Sequence, residues 1–268
     1  MALHFFVQCE RNENVFNNAP TLDTMGATLV ERIGLHNWSH PEAKVTCDFG
    51  QFDLLRSHVY AKNYLQKVIP VGSIEFTEAV VAQAFGVSNI HPQNIPEPLQ
   101  DNVFSGRRLV PSTTISSVPQ IMTDWNVGQV FLKSATRSKG NITGIYNLKS
   151  LPQTEDEVLV SEVLPLLSEW RVFVFKDMVQ DIRHYTGSPY AVPHESVVKN
   201  MVRAMDGRLE SYTLDVGVTA GNQRTVIIEV HNFISCGLYG ASMPLGMYAG
   251  AYRQELVSQG ISADTLYS

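Results

Sequence analysis

Two carboxylates interrupt segments that are otherwise apolar. Tyr212 to Val218 (YTLDVGV) and Arg224 to Val230 (RTVIIEV) are rich in β-branched residues, yet carry Asp215 and Glu229 respectively. TAGNQ lies between them, and its Gly221 and Asn222 suit a tight reversal, so a β-hairpin is predicted. Folding about this turn brings the acids within about two residues of being opposite, where diagonal neighbours lie roughly 7 to 8 Å apart. Divalent cations that also bind phosphate oxygens can fill such a gap. The alternative is that each acid faces solvent or pairs with an arginine such as Arg224.

Lys133 ends an apolar run and is followed by SATRSKGNITG, in which Lys139, Gly140 and Gly144 alternate with small hydroxyl residues. Glycine permits close backbone approach, and successive N–H groups with lysine charge can stabilise a polyphosphate. There is no GxxxxGK[ST] and no GxGxxG, so neither a P-loop nor a dinucleotide fingerprint is present. Arg171 (EWRVF) and Arg183 (QDIRH) can neutralise transferred phosphate or clamp a carboxylate, or serve as solvated charges on a sheet face. Arg107 and Arg108 can reach the same phosphates from the far side of a cleft. His36 and His40 are spaced i, i+4, but HNWSHP offers no third ligand and reads as a surface loop rather than a zinc site. No serine or cysteine stands in a nucleophile elbow.

These side chains must be held by a mixed α+β scaffold. His4 to Gln8 and Lys67 to Val71 read as short buried strands, and Phe76 to Phe85 as a helix ending before Gly86. Pro92, Pro96 and Pro98 then mark an extended connector, with a boundary near residue 100. Beyond it, Gln129 to Lys133, Val158 to Val163, Glu169 to Phe175 and Met178 to His184 predict a mostly antiparallel sheet. Val197, Val198, Met201, Val202 and Met205 form one helical face, which is core packing. The expected division is 1–100, a small α/β lobe, and 101–268, which holds the chemistry.

The 268 residues are 44% hydrophobic and 17% charged, an ordinary globular balance. A net charge of -6 argues against general nucleic-acid or anionic-membrane binding. Cys9, Cys47 and Cys236 are odd in number and far apart, which excludes a disulfide framework and implies a reducing compartment. With no apolar stretch near ~20 residues and no leader-like start, a cytoplasmic protein is expected.

In order along the chain these features resemble the ATP-grasp superfamily over roughly residues 105 to 240. FLKSATRSKGNITG is similar to its strand lysine and phosphate-covering loop, VLVSEVLPLLSEWRVFVF to its adenine hinge, and YTLDVGV with VIIEVHN to its metal-binding strands. The resemblance implies ATP-grasp lobes of antiparallel sheet preceded by the α/β lobe. It implies that Lys133, Lys139 and Gly140 hold phosphates, that Glu162 and the Val163 backbone meet adenine, and that Glu169 binds ribose. Arg171, Lys133 and Arg183 would serve catalysis, and Asp215, Glu229 and Asn232 would hold Mg²⁺, with Mn²⁺ possible. The family has Asn two residues after the metal Glu; here that place is His231, and Asn232 follows. Either His231 acts at the metal or a bulge turns Asn232 inward, the arrangement expected here. The implied activity is an ATP-dependent ligase joining a small-molecule or peptide carboxylate to an amine through an acylphosphate. A nucleotide-binding protein with little turnover and a phosphotransferase are the alternatives.

Overall fold

The computed structural model describes residues 3–10, 21–87, 90, 94–136 and 142–262. The chain forms two compact units: Met1–Ile90 together with Phe233–Ser268, and His91–Asn232.

In the first unit, β1 (His4–Glu10) pairs in parallel with β3 (Thr46–Gln51) and β4 (Ile69–Val71), and β2 (Thr21–Leu22) joins the end of β1 antiparallel. Helix α1 (Thr24–Ser39) is capped by Asp23, whose carboxylate accepts from the Gly26 N–H at 2.7 Å. Short helices α2 (Phe52–Arg56) and α3 (Lys62–Leu65) lead to α4 (Ile74–Phe85), which Ser73 caps and Gly86 ends in the left-handed conformation. Phe6, Leu55, Leu65, Phe76 and Val80 are fully buried together as this unit's core. His36 lies in the last turn of α1 and His40 at its C-cap, so HNWSHP is a helix end and not a loop. Their rings stack, and the His36 Nε2 atom is held to the Ala43 carbonyl at 3.0 Å.

The second unit carries two antiparallel sheets where the strand pattern alone suggested one. After α5 (Asn102–Ser105) come β5 (Leu109–Thr114), α6 (Val118–Trp125), β6 (Val130–Ser134), β7 (Gly144–Tyr146) and β8 (Glu157–Ser161), ordered β5-β8-β6-β7. The other sheet is built from β9 (Leu166–Phe175), β10 (Met178–Gly187), β11 (Ser211–Thr219) and β12 (Thr225–Asn232), ordered β10-β9-β11-β12, with α7 (Glu195–Met205) preceding β11. One face of this sheet, with Val172, Val174, Tyr212, Leu214, Val216, Ile227 and Val230, is buried against Val198, Met201, Val202 and Met205 of α7. Each such aliphatic side chain contributes about 1.5–3 kcal/mol when fully buried. The opposite face is left for polar residues.

Two boundaries differ from the expected division. Ile95 and Leu99, read from sequence as connector, are buried in the α7 cluster and belong to the second unit. The last helix, α8 (Leu245–Ser258), is buried nearly all round and packs on β4 and α1 of the first unit. No helix among the described residues is long and apolar enough to cross a membrane.

Candidate active site

A single cross-strand row organises the polar face. Arg183 on β10 stands opposite Arg171 on β9, Arg171 opposite Asp215 on β11, and Asp215 opposite Glu229 on β12. Residues directly opposite project from the same side of a sheet, so two guanidinium groups and two carboxylates form one rung.

One bulge completes that rung and a second adds a side chain beside it. Between Asp215 and Val216 the β11–β12 register shifts by one residue, leaving Ile228 as the extra residue of β12. In the register kept nearer the turn, where Val216 faces Ile227, Glu229 would lie opposite Leu214 and point into the α7 core. The bulge turns it onto the Asp215 face. Arg107 holds this irregularity: its guanidinium donates to the Ile227 carbonyl at 2.6 Å and the Ile228 carbonyl at 3.1 Å. Gly106, at a φ of +60°, delivers Arg107 there, and a Cβ at Gly106 would meet Val226 Cγ1 at 2.5 Å. Burial pushes the Arg107 guanidinium down to about 10.

The second bulge lies between His184 and Thr186, where Tyr185 is the extra residue of β10. Bulges re-aim side chains beside sites. Tyr185 donates its hydroxyl to Glu169 at 2.8 Å and lies 3.4 Å from Asp215 Oδ2, with its ring against the Arg171 guanidinium. Burial, then the charges of Asp215 and Glu169, push the phenol well up from its ordinary value.

Asp215 is buried and held bidentate by Arg171, with Nε donating to Oδ1 at 2.8 Å and Nη2 to Oδ2 at 2.7 Å. Its partner is therefore Arg171 rather than Arg224. Lys133 of β6 forms an ion pair with Glu229, and His231 contacts the other oxygen of that carboxylate. Burial works to raise the Glu229 carboxyl, but the hydrogen bond and charge of His231 and the ammonium of Lys133 outweigh it and hold the group well below the usual carboxylate range. On β6, Val130, Leu132 and Ser134 are buried while Phe131 and Lys133 turn to the other face, the period-2 alternation that aims the lysine.

Both sheets line a cavity of about 330 Å³, in the size range of small-molecule sites. Ile95, Phe131, Ile145, Leu159, Leu164 and Ile228 supply apolar wall; Glu162 and Val163 lie on the segment joining β8 to β9; Glu169, Tyr185, Lys133, Glu229 and Arg107 bring the polar groups. Glu162 accepts from the Arg108 backbone N–H at 2.8 Å and pairs with its guanidinium, which lowers the Glu162 carboxyl.

Ligand atoms of Asp215, Glu229 and His231 lie within 4.8 Å of one another, a spacing that fits one shared divalent ion. A bidentate arginine leaves carboxylate lone pairs on Asp215 for such an ion. Asn232 does not join this set as expected. The bulge falls before Glu229, not after it, so strand alternation keeps His231 on the Asp215 face and pairs Asn232 with the buried Tyr212. Arg183 shares the rung, but its guanidinium turns to Asp181 at 2.6 and 2.9 Å, away from the cavity lining. Lys139 and Gly140 lie outside the described residues. Tyr185 went unnoticed in the sequence, where nothing but its position two residues after Arg183 marks it.

A family model described as an ATP-grasp domain, family 2 of its clade, matches residues 104–245, more than half of the chain. The chain belongs to the ATP-grasp superfamily. Among solved structures, the D-cycloserine synthetase DcsG matches 97% of this chain and 99% of its own at 10% identity, with a TM-score of 0.55. The macrocyclase MdnC from Microcystis aeruginosa, bound with its precursor peptide MdnA, matches 97% and 100% at 12% identity and a TM-score of 0.49. The ATP-grasp ligase PsnB, complexed with precursor peptide and AMPPNP, matches 53% of this chain at 21% identity and a TM-score of 0.36. The chain spans about half the length of PsnB in that match, at 48%. At these identities the likeness is one of fold, and the fold is the α+β ATP-grasp architecture expected from the sequence. No curated protein sequence matches the chain.

Proposed function

We propose that this ATP-grasp protein is an ATP-dependent ligase that activates a carboxylate as an acylphosphate, releasing ADP, for attack by an amine or similar nucleophile. The observation that carries this reading is one cavity with a hinge segment, Glu162–Val163, in its lining and Lys133 with the Glu229 carboxylate in the same lining. Such a cavity suits adenine against apolar wall and the Val163 backbone, ribose at Glu169, and phosphates at Lys133. Asp215 and Glu229 would hold Mg²⁺, which supplies charge neutralisation on the phosphates when bound. His231 lies within ligand reach of the same ion.

In the proposed reaction a carboxylate oxygen of the acid attacks the γ-phosphorus, the bond to the β–γ bridging oxygen breaks, and its electron pair leaves with ADP. The amine then attacks the acyl carbon, phosphate departs, and the amine loses its proton. Phosphoryl transfer needs positioning and charge neutralisation more than a protein nucleophile, which agrees with a site of Lys133, Arg171, Arg107 and two carboxylates. The substrates proposed are a small-molecule or peptide acid and an amine.

The test couples ADP release to panels of acids and amines, beside calorimetric titration with ATP and Mg²⁺. ADP formed only when an acid is present supports the ligase. ATP binding with no ADP from any pair supports nucleotide binding without turnover, and a stable phosphate ester supports phosphotransfer.

A further inference from the structure

We infer that His231 is a direct ligand that makes this site select Mn²⁺, or a similar first-row divalent ion, over Mg²⁺. This rests on the metal-site reading above and adds the chemistry of the third donor. His231 faces Thr213 across the β11–β12 ladder and stands two residues from Glu229, so alternation commits its ring to the rung face. Its Nε2 atom contacts Glu229 Oε1 and lies 3.8 Å from Asp215 Oδ2, so it is Nε2 that points at both carboxylates. The His231 side chain is one-third exposed, so the imidazole is not sealed off from a ligand.

With an ion in place of the Nε2 proton, the imidazole nitrogen and the two carboxylates are an O, O, N donor set. Mg²⁺ is a hard ion that prefers six oxygens and keeps its waters, and imidazole nitrogen is a poor partner for it. Mn²⁺ accepts the same carboxylate and phosphate oxygens but also bonds imidazole. An amide side chain at residue 231 would have offered an oxygen and left Mg²⁺ favoured. One residue therefore sets the ion preference, while Asp215 and Glu229 set the presence of the ion.

The experiment uses the full chain with histidine alone labelled with ¹⁵N, and titrates Mn²⁺ with and without ADP. Loss of the free aquo-Mn²⁺ electron paramagnetic resonance signal gives the affinity, and back-titration with Mg²⁺ gives the selectivity. Pulsed measurement of the bound ion reads the ¹⁵N coupling that only a histidine ligand can give, so nucleotide nitrogen cannot imitate it. We expect a ¹⁵N coupling in the wild-type protein and none in His231→Asn. The Mn²⁺ over Mg²⁺ affinity ratio of His231→Asn should fall by about tenfold or more. Bound Mn²⁺ without ¹⁵N coupling, or an unchanged ratio in a folded His231→Asn protein, overturns the inference and leaves the metal site standing. Absence of Mn²⁺ binding in the wild-type protein, with or without ADP, overturns both. Because all eight histidines carry the label, loss of the coupling on substitution assigns it to His231, and His231→Gln serves as the second variant should His231→Asn not fold.

Discussion

Replacing Arg171 by Met tests whether the rung is an electrostatic unit. The Arg171 and Asp215 side chains are only 9% and 2% exposed, and both carboxylate oxygens take guanidinium hydrogen bonds. Methionine fills much of the same volume but leaves Asp215 buried and opposite a second carboxylate, Glu229. Removing one partner of a buried pair costs about 3 to 5 kcal/mol. That is roughly 6 to 20 °C in Tm for a domain of this size. Arg108→Met is the internal control, since the Arg108–Glu162 side chains are 49% and 25% exposed, and such a solvent-screened surface pair contributes little to stability. Urea unfolding followed by fluorescence suits the measurement, because Trp170 sits next to Arg171 in β9 and packs against the α7 cluster. Mg²⁺ with a non-hydrolysable ATP analogue should return part of the lost stability by binding the folded state. A loss for Arg171→Met no larger than that for Arg108→Met would refute the reasoning.

Lys133→Ala should weaken ATP binding by about 10- to 100-fold, the worth of one charge-assisted contact; calorimetry showing unchanged affinity would remove Lys133 from the phosphate site. Arg107→Met should release the Ile227 and Ile228 carbonyls, cost about 2 to 4 kcal/mol of stability, and weaken Mg²⁺ binding because Glu229 loses its fixed register. Unaltered Mg²⁺ affinity in that variant would argue that the bulge holds itself. Tyr185→Phe should cost about 0.5 to 1.5 kcal/mol and a few-fold in ATP affinity through the lost bond to Glu169, read by urea unfolding and titration. Because the Glu229 carboxyl is held below its ordinary 4.5, its stabilisation is complete above that pH and is lost as pH falls through the lowered value. The stability difference between wild type and Glu229→Gln should therefore shrink on acidification below about pH 4.5, and a difference constant from pH 6 to 3 would contradict the pairing of Glu229 with Lys133 and His231.

Much of the scaffold was legible because the hydrophobic period reports it directly. The helix Glu195–Met205 and the strands around Lys133, Arg171 and Asp215 have patterns strong enough to read without tertiary contacts. Less legible were α1, β5 and α6, whose patterns are diluted by polar residues and decided by packing. The fate of the last helix was hidden for a similar reason: the apolar and small residues of its first two turns announce burial but not their neighbours.

The sequence by itself determined which residue types could hold phosphate and metal, that Asp215 and Glu229 share a hairpin, and that Lys133 stands at the end of a strand. Only the tertiary structure decided that this strand lies in a separate sheet, and which face each acid takes. Strand alternation is a parity rule, and one extra residue at Ile228 reverses it for Glu229 and His231 and leaves Asn232 on the other side. That extra residue is stabilised by Arg107, 120 positions away from Ile227 along the chain, and a contact of that separation leaves no periodic trace in a local window.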